Sequence, residues 1–146
     1  MRFRLYVAAL LVAWSGSMLL AQKVTSPEEL DKAMKKMQEV MRSTQKALKS
    51  ASYADARAEI AALKQVMEDS REFWVTHKKD DAIKSNLEVV AKLDAADQLL
   101  AATPVDRAAV GAVMKEVGAA CLACHKTYRV RDAENNYIIK PGSIGN

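Results

Sequence analysis

The stretch VGAVMKEVGAACLACHKTYR, Val110 to Arg129, is the one on which the fold turns. Val110, Val113, Val117, Cys121, Cys124 and Tyr128 recur in it at steps of three and four, the spacing of one face of an α-helix. The same stretch holds both cysteines of the chain and one of its two histidines. It reads as a helix whose apolar face carries chemistry close to the C-terminal end.

Working outward, Thr103-Pro104-Val105-Asp106 combines a capping residue with a proline and is expected to open this helix. Before it, a third helix is expected over about 81–102, with Ile83, Leu87, Val90, Leu93 and Leu100 on its apolar face. A second runs from about Ser52 to Thr76, with Ile60, Leu63, Met67 and Trp74 on one stripe. His77, Lys78 and Lys79 suit its C-terminus, and Asp80 or Asp81 suits the cap of the next helix. The first helix opens at Ser26-Pro27-Glu28-Glu29, a capping box with proline at the first helical position, and ends near Ser50. Its face is Leu30, Met34, Met37, Met41 and Leu48. Aromatic residues are few, and glycine and proline together make only eight positions in 146, which favours helix over sheet. The expected fold is all-α: an antiparallel four-helix bundle over residues 22–132, followed by an irregular tail over 133–146. Only Tyr137-Ile138-Ile139 hints at a strand there.

Residues 1–21 stand apart from this pattern. Arg2 and Arg4 precede an apolar run from Leu5 to Trp14, and Ser15, Gly16, Ser17 and Ala21 offer small residues for cleavage. That is the layout of a secretory signal peptide, with cleavage expected between 17 and 22, and the run is short for a membrane span. The expected location is therefore the bacterial periplasm, with no stable membrane insertion once the signal is removed. Losing Arg2 and Arg4 leaves 20 basic against 18 acidic groups, a net charge of +2. No basic cluster is interleaved with aromatic residues, so a nucleic-acid partner is not expected. Nor is there a nucleophile–base pair or a second metal set, and no enzyme activity is expected.

Three chemistries compete for Cys121, Cys124 and His125. A redox dithiol wants its cysteine pair at the start of a helix that follows a strand; here the pair falls late in a helix with no strand before it. A zinc site wants four ligands, and His77 would have to complete the set without a second paired spacing. The third chemistry uses every residue: Cys-x-x-Cys-His places two thiols for thioether bonds to one haem and an adjacent imidazole for its iron. Cys121 and His125 are one helical turn apart, with Cys124 beside them. A disulfide within such a helix would be strained. Gly111 and Gly118 interrupt the same helix, where each costs about 1 kcal/mol relative to alanine. Either they are simply tolerated, or bare backbone admits a flat ring or a neighbouring helix.

The stretch Val117 to Arg129 resembles the C-terminal signature of class II c-type cytochromes, the cytochrome c-prime family with its low-spin six-coordinate relatives. Their order of parts is four helices first and haem attachment last, and the resemblance extends over about Pro27 to Arg131. It implies that Cys121 and Cys124 anchor haem c, that His125 is the proximal ligand, and that Arg129 lies beside the haem. In low-spin members a methionine of the first helix binds the iron; the string Asp31 to Met37 resembles that version, with Met37 in the ligand position and Met34 and Met41 as substitutes. The implied function is one-electron transfer between periplasmic redox partner proteins. The alternative is a five-coordinate high-spin site that binds nitric oxide or carbon monoxide. A homodimer is common in that family. Two departures stand out: the connection between the second and third helices is short for the family, and the segment from Val130 to Asn146 is long. One haem edge is then more open, or the tail covers it.

Overall fold

The computed structural model describes residues 23–145; the expected signal peptide lies outside them. Four helices follow in order: α1 (Pro27–Lys49), α2 (Tyr53–Thr76), α3 (Asp80–Ala101) and α4 (Arg107–Tyr128). The all-α bundle read from the sequence is the observed architecture. In α1 the capping box forms as expected: Ser26 Oγ accepts from the Glu29 N–H at 3.2 Å, and the Glu29 carboxylate accepts from the Ser26 N–H at 3.1 Å. Pro27 sits in the first turn, where its missing N–H costs nothing. The fourth helix starts differently from the expectation. Asp106, not Thr103, is its N-cap, accepting from the Ala108 and Ala109 N–H groups at 3.0 Å, and Pro104 lies outside the helix. A carboxylate can take both orphan N–H groups, which favours the later start. Similarly, Asp80 and Asp81 lie in the first turn of α3, beyond its cap at Lys79.

Cross-helix pairs fix the antiparallel register. Arg57 bonds Asp97 at 2.7 Å, Lys64 pairs with Asp94, and Asn86 Nδ2 donates to the Met67 carbonyl at 2.7 Å, all between α2 and α3. Between α3 and α4, Lys92 meets Glu116 at 2.7 Å and the Tyr128 hydroxyl donates to Asp81. Adjacent helices α1–α2, α2–α3 and α3–α4 pack side by side. Among the described residues, α1 and α4 lack a comparable close approach of backbones; side chains bridge that side of the bundle.

The core falls into two clusters. One gathers Ile60, Leu63, Leu93, Val110 and Val117, with Met37, Met41 and Cys121 packed against it. The other gathers Leu30, Phe73, Trp74, Ala82 and Tyr128, with Met34 and Cys124 packed against it. The inward stripe of α3 is Ala82, Asn86, Val89, Leu93, Ala96 and Leu100. The expected Leu87 is instead 46% exposed, because the buried stripe runs one residue earlier through a polar position that hydropathy does not flag.

The tail is not wholly irregular. Strands β1 (Arg129–Arg131) and β2 (Tyr137–Ile139) form an antiparallel hairpin, with Val130 opposite Ile138. The Arg131 guanidinium donates to the Asn135 carbonyl and to the Tyr137 hydroxyl, and Asn135 takes the left-handed backbone conformation (φ 67°) that closes the turn. The hairpin packs back onto the bundle: β2 lies against α1, the Lys140 N–H donates to the Tyr128 carbonyl at 2.8 Å, and Ile139 and Ile144 join the second core cluster.

Candidate functional site

The candidate site is the C-terminal half of α4 together with the methionines of α1. Val117 and Tyr128 are buried, and between them Cys121, Cys124 and His125 are half-buried on adjoining positions of the helix. The end of α4 is held from several sides. The Tyr128 ring stacks at 4.8 Å on Trp74 of α2, and its hydroxyl reaches Asp81 in the first turn of α3. The Arg129 N–H caps the helix by donating to the His125 carbonyl. This clamp fixes the orientation of the turn that carries the motif. Trp74 is therefore core packing, as expected.

The electrostatics follow from burial. Burial pushes the Cys121 thiol up. It pushes the Cys124 thiol up to about 11, with the neighbouring Cys121 and Asp81 adding to the effect. His125 is lowered, first by burial and then by the positive Arg129. Near neutral pH the motif thus presents two thiols and one uncharged imidazole with a free lone pair. Both cysteines are free, with no sulfur–sulfur bond between them.

The remaining candidates are placed as follows. Met37 and Met41 pack against the cluster that receives Cys121, and Met34 packs against the one that receives Cys124. Arg129 directly follows α4, with its guanidinium carbon 4.0 Å from the centre of the Tyr137 ring; Arg131 stands over the same ring at 4.1 Å. His77 is engaged by Phe73. Its ring stacks on Phe73 at 4.3 Å and its Nδ1 lies 2.7 Å from the Phe73 carbonyl. Among the described residues, no three histidine, cysteine or acidic side chains converge as a metal cluster, so the zinc reading gains no second pair of ligands. The Asp81–Tyr128 clasp was not legible beforehand, because nothing in the local pattern of either residue points to a partner 47 positions away.

The residues present fit a covalently held haem: two protonated thiols spaced for thioethers, a neutral imidazole adjacent to the second, and thioether sulfurs on the neighbouring helix. No protein-family model matches the chain, and no solved structure matches it. Over 42 residues the chain is 55% identical to Cytochrome c-556 of Agrobacterium tumefaciens (strain II Chrys). That stretch makes up 28% of this chain and 34% of the relative, so the match spans about a third of the relative's length.

Proposed function

We propose that this protein is an exported monohaem c-type cytochrome that carries one electron between periplasmic redox proteins. The observation that carries the reading is the sharing of one turn of α4 by Cys121, Cys124 and His125, with the two thiols seated on the two apolar clusters that also receive the methionines of α1. The similarity to Cytochrome c-556 supports it. Bound here, haem supplies a one-electron iron couple, and a methionine ligand raises its potential relative to a second nitrogen. Cys121 and Cys124 hold the group, and His125 presents its lone pair. The Trp74–Tyr128 packing shields the Cys124 side from water. No hydrolytic or group-transfer role is assigned to any residue.

Either Met37 or Met34 supplies the second axial ligand. The resemblance favours Met37. Packing supports Met34, because α1 runs antiparallel to α4 and Leu30 shares a cluster with Tyr128 at that end. Met34 then stands at the height of Cys124, which His125 directly follows, and Met37 stands at the height of Cys121. We take Met34 as the reading. Whole-protein mass and absorption spectra of the exported protein test it. One covalent haem and a low-spin spectrum with a methionine-to-iron charge-transfer band are expected. Met34→Leu should convert this to a high-spin spectrum, while Met37→Leu and Met41→Leu should not. The reverse result would return the role to Met37. A wild-type protein that is high-spin and shifts with nitric oxide would support a gas binder, and a chain without haem mass would end the proposal.

A further inference from the structure

The glycines of α4 offer a further inference. Neither is explained by the polypeptide: a Cβ added at Gly111 or at Gly118 would meet no heavy atom within 4 Å, so no neighbouring helix needs the bare backbone. Neither has a positive φ. Both nevertheless occupy helix interior, where alanine is preferred. Their surroundings differ in one respect. Gly118 is one turn before Cys121 and two turns before His125, about 10 Å along the axis from the latter at 1.5 Å per residue. Gly111 is about 21 Å from His125 by the same measure. Glu116 marks the α3 side of the helix through its 2.7 Å pair with Lys92. Gly118 projects roughly 200° round from Glu116, away from α3 and towards the side where α1 and α4 lack close backbone approach. Leu122, the next residue along that flank, is 53% exposed. The polypeptide thus leaves a bare backbone and an uncovered leucine side by side, next to Cys121 and His125.

We infer that Gly118 is a positioning residue for the prosthetic group: a flat tetrapyrrole anchored at Cys121 and Cys124 lies against the bare backbone at Gly118 and covers Leu122. This inference rests on the haem reading above. Gly111 is out of reach of a group centred at His125 and serves as the internal control.

The experiment compares Gly118→Ala and Gly118→Leu with Gly111→Ala and Gly111→Leu. Three quantities are measured: the fraction of exported chains with covalent haem mass, the visible spectrum, and the melting temperature of the haem-free protein. Both alanine variants should raise the haem-free melting temperature by roughly 4 °C, showing that the folded chain itself accepts them. Gly118→Leu should lower the haem-bearing fraction at least threefold or shift the spectrum, and Gly111→Leu should do neither. Haem occupancy and spectrum unchanged in Gly118→Leu would overturn the inference and leave the haem reading standing. A wild-type chain without covalent haem would overturn both.

Discussion

Tyr128 ties α4 to two other helices, and its hydrogen bond to Asp81 gives the folded chain a pH dependence at both ends of the scale. Its hydrogen bond holds the Asp81 carboxyl below its usual 3.8, so the stability from this pair is present above pH 3.8 and is lost as the pH falls through the lower folded-state value. Burial and the bond to Asp81 push the Tyr128 phenol well above its usual 10.0. The unfolded chain releases that proton above pH 10 and the folded chain does not, so stability also declines as the pH rises further. Tyr128→Phe should flatten both limbs. At neutral pH it should cost only about 1 kcal/mol, because Asp81 is exposed and water can replace its partner. Urea midpoints of the haem-free protein from acid to alkaline pH give the comparison. A second residue, Asn86, is buried between α2 and α3 with its Oδ1 unpartnered. Asn86→Asp should cost about 3 kcal/mol by burying a charge there, whereas Asn86→Leu, which removes the orphan oxygen together with the bond to the Met67 carbonyl, should cost only about 1 kcal/mol in the same unfolding assay.

Each helix was legible in proportion to how much of its signal was local. The start of α1 was fully written in Ser26, Pro27 and Glu29: the Ser26 and Glu29 side chains bond within four residues of themselves, and Pro27 occupies the first turn. Ser26→Ala should cost about 1 kcal/mol and loosen the first turn, which amide exchange at the N-terminal end of α1 would register. The end of α2 and the start of α4 were written less plainly. Thr103-Pro104 carries the proline cue, yet the cap bonds belong to Asp106. The stripe of α3 was read through Leu87 because leucine is apolar, and the packing instead buries Asn86, whose amide finds the Met67 carbonyl only after α2 is in place. The hairpin was the least legible element. Its strands are three residues each, and Ile139 and Ile144 acquire a reason to be ordered only by packing against the cluster of Leu30 and Trp74. Ending the chain after Asp132 removes both isoleucines. It should lower stability by about 2 kcal/mol and speed alkylation of Cys124 in the haem-free protein more than that of Cys121, since only the former packs on the uncovered cluster.

At the scale of the whole molecule, three helix pairs are joined by close packing, and on the fourth side α1 and α4 meet through side chains that pack against the two shared core clusters, Met34, Met37, Met41 and the cysteines among them. That arrangement divides the bundle by stability. The α2–α3 pair is locked by the Arg57–Asp97 and Lys64–Asp94 contacts and by the Asn86 bond, none of which involves the site. The α1–α4 side depends on whatever spans it, and a group held covalently by α4 and ligated from α1 would act as a cross-link between the first and last helices of the bundle. A ligand that binds only the folded chain adds its binding free energy to stability, and here the gain should be local. The doubly substituted chain Cys121→Ser/Cys124→Ser should therefore remain helical but lose amide protection along α1 and the C-terminal half of α4. The α2–α3 core should retain its protection in both proteins. Hydrogen exchange read by mass spectrometry on the haem-bearing and substituted chains would show this. Equal loss across all four helices would mean that the bundle unfolds as one unit and that the α1–α4 side is no weaker than the rest.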